Sequence, residues 1–250
     1  MAEKQELTAA ILIVGSEILS GRTQDVNIQF IANRLSLRGI RLCEVRVVSD
    51  VTKAVVEALD ALRTQYTYVF STGGIGPTHD DITAACVAQA FGVPVIEDAE
   101  ARRRLAEYYA PKGVELNEAR LKMARIPKGS TLIDNPVSAA PGFKVGNVFV
   151  MAGVPKIMQS MFTHVEQMIG RGAPLVTRTI VCKQREGEIA ADLDAIQAEF
   201  PDIEIGSYPQ PGGDLSIALR GTDEIRLEAA VRKAAEMVKK RGEEPVFASA

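Results

Sequence analysis

Continuous apolar runs and segments with helical spacing alternate along the first 91 residues. The continuous runs are rich in branched residues and predict strands at 9–14, 40–48 and 66–70. The segments between and after them predict helices at 25–37, 52–63 and 82–91. A strand-helix order repeated three times predicts an α/β fold with a mostly parallel sheet.

Shorter elements are predicted up to residue 170. Helix signals cover 98–109, 117–124 and 156–169, and the second of these helices is expected to stop at Ile126 and Pro127. Short extended segments are predicted at 93–96, 131–133, 142–145 and 147–151. Two prolines between residues 135 and 142 indicate a rigid loop.

The pattern changes after a linker at 171–174. Strands are predicted at 177–182, 203–208 and 215–220, and helices at 187–199 and 223–241. This β-α-β-β-α order indicates a small α+β subdomain. We therefore predict two domains, residues 1–170 and 175–250.

Composition excludes several classes of protein. A net charge of −3 argues against broad nucleic-acid binding, which needs a concentrated basic surface. The N-terminal residues lack the basic start and apolar core of a signal peptide, and the apolar run at 9–14 is too short to cross a membrane. Cys43, Cys86 and Cys182 are far apart and are predicted to be buried free thiols. We expect a soluble cytoplasmic protein.

The stretch from Ser71 to Thr83 combines a strand end, glycines and an acidic helix start. Gly73, Gly74 and Gly76 would let backbone amides approach a phosphate, and the hydroxyls of Ser71 and Thr72 would add donors. The alternative is a tight turn without a ligand. The loop matches neither the dinucleotide-binding nor the P-loop motif.

Four carboxylates are candidates for the same site. One of Asp80 and Asp81 suits an N-cap of the following helix, and the other is explained by a divalent ion that bridges to phosphate oxygens. Glu17 and Asp50 follow parallel strands and would lie on the same rim, unless they are solvated loop residues. With so few histidines and cysteines, magnesium-like or manganese-like ions fit better than zinc.

Basic side chains add less information. His79 lies in the loop, where it would contact a phosphate, transfer a proton or remain exposed in solvent. His164 is expected to be structural. Lys122 and Arg120 lie on a predicted helix, where solvated surface is the default. The C-terminal subdomain lacks the basic loop and paired aromatics of a nucleic-acid module, so we do not expect nucleic acid as a partner.

Four segments together carry a family resemblance. Residues 72–83, TGGIGPTHDDIT, closely resemble the T-G-G-[LI]-G-P-T-x-D-D-[LIM]-T motif of the molybdopterin-binding-like domain in the competence/damage-inducible protein A (CinA) family. Other motifs of that family resemble residues 14–27, 117–127 and 135–143. Residues 206–209, GSYP, resemble the related domain attached to eukaryotic FAD synthases, which suggests a stand-alone form of that domain. Ala152 stands where the family has proline.

The resemblance implies a three-layer α/β domain and metal-dependent hydrolysis of a nucleotide diphosphate such as ADP-ribose or FAD. The implied ligand contacts are Thr72, Gly73, Gly74, Gly76, Thr78, Asn27 and Lys122. Glu17, Asp80 and Asp81 would hold Mg, Mn or Co, and Asp50 or His79 would act as base beside Asp81. The alternative is a non-catalytic molybdopterin or nucleotide binding protein. We expect a homo-oligomer with a small-molecule nucleotide or pterin ligand and no membrane partner.

Overall fold

The computed structural model describes residues 6–248, which form two compact units divided between Gly172 and Ala173. The prediction that the chain starts without a signal peptide rests largely on residues 1–5, which lie outside this part. Each unit has its own core, and the two are described separately.

The first unit is built on a six-stranded sheet with strand order β2-β1-β3-β8-β7-β6. Strands β2, β1, β3 and β8 run parallel, whereas β7 is antiparallel to both of its neighbours. A separate two-stranded ribbon pairs β4 with β5. The strands are β1 (Thr8–Val14), β2 (Arg41–Val48), β3 (Tyr68–Thr72), β4 (Val95–Glu97), β5 (Arg125–Pro127), β6 (Thr131–Ile133), β7 (Gly142–Val145) and β8 (Val148–Met151).

Helices cover both faces of this sheet. They are α1 (Ser16–Leu19), α2 (Asn27–Leu37), α3 (Thr52–Gln65), α4 (Thr83–Phe91), α5 (Ala99–Tyr109), α6 (Glu118–Leu121) and α7 (Pro155–Val165). Strand β1 explains why both faces are covered. Its residues Ile11 and Ile13 pack into the core under α2 and α7, whereas Leu12 packs into the core under α3 and α4. An apolar run buried on both faces requires a layer on each side. The predicted three-layer α/β fold with a mostly parallel sheet is confirmed.

Local predictions fail at three places. The expected loop after β1 contains the short helix α1. The helix expected at 117–124 is a single α turn, α6, followed by a 3-10 turn that ends at Ala124. It stops ahead of Ile126 and Pro127, as expected, and these two residues belong to β5. Cys43 is exposed, not buried, because β2 is an edge strand and its register with β1 skips this residue. Cys86 and Cys182 are buried free thiols, as expected.

The second unit has the predicted β-α-β-β-α order and one additional strand. Its antiparallel sheet has the order β10-β11-β9-β12, and its core lies between that sheet and two helices. The elements are β9 (Val176–Cys182), α8 (Glu186–Glu199), β10 (Glu204–Pro209), β11 (Leu215–Gly221), α9 (Glu224–Lys240) and β12 (Val246–Ala248). Across residues 6–248, no helix has both the length and the apolar character needed to span a membrane.

A nearly buried carboxylate joins α2 to the end of α7. Glu166 is 7% exposed and accepts a bidentate pair of hydrogen bonds from Arg34. Nε of Arg34 lies 2.7 Å from Oε1 of Glu166, and Nη2 donates to Oε2. The Nε atom of Arg38 lies 3.5 Å from the same oxygen. Two cations therefore hold one carboxylate at the junction of two helices that cover one face of the sheet.

Glu166→Gln is expected to lower the free energy of unfolding by about 2–3 kcal/mol, because it removes the charge that compensates two arginines. The value lies below that of a fully buried pair since the Arg34 side chain is 39% exposed. Urea denaturation measures the change. The control Glu107→Gln removes the exposed partner of Arg103 and is expected to cost under about 0.5 kcal/mol. Equal effects of the two variants would contradict this account.

Candidate functional site

The turn that follows β3 requires glycine at two successive positions. Gly73 and Gly74 have φ angles of 96° and 67°, a region that costs other residues energy. A Cβ atom on Gly73 would lie 2.2 Å from the carbonyl oxygen of Val14, and one on Gly74 would lie 2.2 Å from Oγ1 of Thr83. Both dihedral angles and contacts therefore exclude a side chain here.

Thr83, the first residue of α4, joins this turn to the helix. Its backbone N–H donates to the carbonyl of Gly74 at 3.0 Å, and its buried hydroxyl donates to the carbonyl of Gly73 at 3.0 Å. The helix has Ile82 at the N-cap without a side-chain cap, so the expectation that Asp80 or Asp81 caps it is wrong. The helix start is fixed by the glycine turn instead.

Asp81 closes the remainder of the loop. Its Oδ2 accepts hydrogen bonds from the backbone N–H of Thr78 at 2.7 Å and from the Thr78 hydroxyl at 2.5 Å. The ammonium group of Lys122 donates to the carbonyl of Thr78. A Cβ on Gly76 would lie 2.7 Å from the same Asp81 oxygen. The carboxylate is thus held in place against the loop backbone.

Three consecutive backbone amides in this loop have no acceptor. Within residues 6–248, the N–H groups of Gly74, Ile75 and Gly76 donate to no protein atom. The N–H of Gly73, in contrast, donates to the carbonyl of Met151 at 3.1 Å. Successive free amides of this kind suit the binding of an anion.

These amides border a cavity of about 610 Å³ that also contains four carboxylates. Asp80 and Asp81 come from the glycine loop, Glu17 from α1, and Asp50 from the end of β2. The parallel sheet brings them together, because β1, β2 and β3 all end at this edge. A cavity of this size is typical of a small-molecule site.

A rigid loop forms a second wall of the cavity. Asn135 is buried, and its Nδ2 donates to the Ser138 hydroxyl at 2.7 Å and to the carbonyl of Ala140 at 2.8 Å. Its Oδ1 accepts from the amides of Val137 and Ser138. Ala139 has φ of 61°, the one positive value outside glycine among the described residues. The Asn135 side chain therefore supports a strained backbone beside the cavity.

A third wall comes from the segment between β8 and α7. Gly153 packs against the glycine turn, since a Cβ there would lie 3.3 Å from the Cα of Gly73. The carbonyl of Gly153 accepts a hydrogen bond from Nδ2 of Asn27 at 2.8 Å. Pro155 occupies the first turn of α7, whose N-terminus lines the cavity. A helix N-terminus adds positive potential to this wall.

Two carboxylates of the cavity have distinct surroundings. The nearby Thr78 hydroxyl, the N–H of Asp80 itself and the neighbouring charges of His79 and Lys122 hold the pKa of the Asp80 carboxyl below its usual value. The hydroxyl proton of Thr78 is itself donated to Asp81, so the Thr78 hydroxyl acts on Asp80 through its proximity. Asp50 Oδ2 accepts a hydrogen bond from the backbone N–H of Ser16 at 2.8 Å, which orients its carboxylate. Over residues 6–248, no three acidic, histidine or cysteine side chains are close enough to ligate one ion by themselves.

Comparison with known proteins assigns the family. Residues 10–171 match the family described as probable molybdopterin binding domain. The chain belongs to this molybdopterin-binding family. In this family member, residues 174–245 of the second unit match a different family, described as FAD synthase, middle domain.

Individual relatives place the molybdopterin-binding family member among CinA-like proteins. A CinA-like protein of Sulfurihydrogenibium is 38% identical over 65% of this chain and 42% of its own length. A probable FAD synthase of Caenorhabditis elegans is 33% identical over 82% of this chain and 44% of its own length. The solved structure of CinA from Thermoplasma acidophilum, a protein of unknown function, is 35% identical with a TM-score of 0.61, covering 65% of this chain and 99% of that one.

The cavity of this family member contains some of the predicted site residues and not others. Those that line it are Glu17, Asp50, Gly73, Gly74, Gly76, Asp80 and Asp81. Thr72 is buried in β3, Thr78 contacts Asp81, and His79 is exposed. Asn27 and Lys122 act on the backbone of Gly153 and Thr78. Their roles toward a ligand stay predictions.

Sequence reasoning missed the structural anchors of the site. In the sequence, Thr83 is noted only as the last residue of the motif at 72–83. Asn135 is noted only as part of the segment at 135–143 that resembles the family. Both are buried polar residues whose side chains fix loop backbone. For Thr83, a polar residue at the start of an apolar stretch is the available signal, because burial of such a group requires a hydrogen-bond partner. Asn135 stands between Asp134 and Pro136 and gives no signal of this kind.

Gly73→Ala is expected to lower the free energy of unfolding by at least about 2 kcal/mol, because strain from φ adds to a clash with the Val14 carbonyl. Thermal or urea unfolding measures the loss. Gly113→Ala is the matched control, since Gly113 also has positive φ but its Cβ would meet open space. That control is expected to cost about 1 kcal/mol. Equal losses would show that the contact with Val14 does not matter.

Proposed function

We propose that this chain is a divalent-metal-dependent diphosphatase that hydrolyses the diphosphate bond of a nucleotide such as ADP-ribose or FAD. The observation that carries the proposal is the row of free amides at 74–76 beside four carboxylates in one cavity. The amides match the oxygens of a phosphate, and carboxylates match a hard divalent cation. The relative named a probable FAD synthase supports a nucleotide ligand.

The amides of Gly74, Ile75 and Gly76 would hold the diphosphate. Their position is set by hydrogen bonds from Thr83 to the two preceding carbonyls, so little reorganisation is needed when the anion binds. The N-terminus of α7 lines the same cavity and favours the negative charge of the ligand. Together these groups would bind and orient the bond to be broken.

One or two of Glu17, Asp80 and Asp81, which line the same cavity, would hold a divalent ion that is shared with the substrate. Magnesium is usually held by one or two carboxylates, with phosphate oxygens and water completing its shell, so an all-protein cage is not required. The Thr78 contacts leave Oδ1 of Asp81 without a protein partner among the described residues. When bound, the ion would neutralise charge on the diphosphate and raise the acidity of water in the site.

Asp50 is the base that the geometry favours. It lines the cavity, whereas His79 does not, and the N–H of Ser16 fixes one of its oxygens. In the proposed step, a water oxygen forms a bond to phosphorus while the water's proton passes to Asp50. The bond from phosphorus to the bridging oxygen breaks, which releases two phosphate monoesters.

Asp81→Asn tests the assignment, because asparagine can still accept from Thr78 but carries no charge toward a cation. We expect a loss of at least about 100-fold in kcat for ADP-ribose or FAD with Mg, Mn or Co, with an unchanged unfolding midpoint. Products are measured by chromatography of AMP and its partner monoester. Glu57→Gln, which removes an exposed carboxylate on α3, serves as control. Unchanged turnover in Asp81→Asn would refute the site.

The second candidate is a non-catalytic molybdopterin or nucleotide binding protein. It is favoured by the finding that no three metal-ligating side chains converge within residues 6–248. A screen of ADP-ribose, FAD and NAD against the three ions separates the two functions. Saturable binding without any monoester product would support the binder and reject the diphosphatase.

A further inference from the structure

A second cavity, of about 290 Å³, lies beside the glycine loop. Gly74, Ile75 and Gly76 line both cavities, so the loop with the free amides is their common wall. A ligand whose phosphate is held by these amides can therefore extend into either space.

The lining of the second cavity differs from that of the first. It is mainly apolar and includes the small side chains of Ala84 and Ala85 at the start of α4, with Val95 and Ile126 from the β4-β5 ribbon. Val95 is 41% exposed, so part of this apolar surface faces solvent. An apolar lining with small side chains suits a planar group that excludes water from it.

The charges of the second cavity are mostly positive. Lys122 and Arg125 line it, and Asp81, at the shared wall, is its one carboxylate. Lys122 is fixed by its hydrogen bond to Thr78, and Arg125 is paired with Glu118 at 2.7 Å. The guanidinium plane of an arginine such as Arg125 can stack on a planar base, and the thioether of Met123 can adapt to the edge of a ring.

The size of the cavity limits what it can receive. A volume of about 290 Å³ lies at the lower end for small-molecule sites, so it is too small for a complete dinucleotide. It suits one ring system joined through a sugar to the phosphate at the loop.

We propose that this second cavity binds the planar nitrogen heterocycle of the ligand while the diphosphate lies on the amides of 74–76. The inference rests on the proposed function for the position of the diphosphate. The heterocycle is a purine or a flavin, and the two are separated by the probes below.

Ala85→Trp fills the cavity from a position that is exposed on α4, so the larger side chain need not enter the core. Gln89→Trp is the matched control, because Gln89 is exposed one turn further along the same helix and lines neither cavity. Urea denaturation is expected to give the same midpoint for both variants and the unmodified protein.

Binding is measured with three probes and without turnover. Etheno-ADP-ribose reports a purine and FMN reports a flavin, both by fluorescence anisotropy in the absence of divalent ions. Inorganic pyrophosphate with Mg, measured by calorimetry, reports the phosphate site alone. We expect Ala85→Trp to weaken one ring-containing probe by at least about tenfold in Kd and to leave pyrophosphate unchanged. Gln89→Trp should change none of them.

The ring assignment is overturned if Ala85→Trp binds both ring probes as the unmodified protein does, or if pyrophosphate is weakened equally. It is also overturned if the unmodified protein binds neither ring probe. If Ala85→Trp loses only ring binding and the unmodified protein cleaves no dinucleotide, the assignment of the ring cavity stands and the proposed diphosphatase is rejected. If Asp81→Asn is inactive but Ala85→Trp has an unchanged KM for ADP-ribose, the proposed diphosphatase stands and the assignment of the ring cavity is rejected.

Discussion

The candidate site depends on one backbone constraint, the pair of positive φ angles at Gly73 and Gly74. Three segments close around these residues: the end of β1 through the Val14 carbonyl, the start of α4 through Thr83, and the β8-α7 connection through Gly153. Each contact needs the space that a side chain would occupy. Because strands and helices hold the turn, its free amides are fixed before any ligand binds, which is what an anion site in a folded protein requires.

The glycine loop also separates two environments of opposite character. Four carboxylates face the larger cavity, whereas Lys122 and Arg125 border the smaller apolar one. Lys122 contributes to both cavities. It lines the smaller one, and its hydrogen bond to the Thr78 carbonyl stabilises the loop that holds Asp81 in the larger one. A ligand with a ring at one end would place that ring in the smaller cavity, whereas its diphosphate would face the carboxylates of the larger one.

The sequence predicts the architecture well and the site contacts poorly, for a physical reason. The apolar run of β1 identifies a strand buried on both faces, because periodicity records which faces are covered. Cys43 was misjudged because exposure on an edge strand depends on which strands are neighbours, which no local pattern records. The hydrogen-bond partner of Asp81 was also not predicted correctly. An acidic residue just before α4 suggested a helix cap, but the structure has no such cap and Asp81 accepts from Thr78 instead. Lys122 contacts a residue 44 positions earlier in the chain, a separation that only the folded topology brings together.

Charge sets the final requirement on this cavity. A diphosphate carries several negative charges, and in the larger cavity it would approach Glu17, Asp50, Asp80 and Asp81. Repulsion between unit charges a few ångströms apart costs kilocalories even at the intermediate dielectric of a protein surface. Three amides and one helix N-terminus offer partial charges, which offset only part of that repulsion. The lowered pKa of Asp80 keeps its carboxylate ionised at neutral pH, so protonation does not relieve it there. We therefore expect a cation to strengthen the binding of an anion here, and this coupling is the physical reason that the proposed hydrolysis would use a divalent metal.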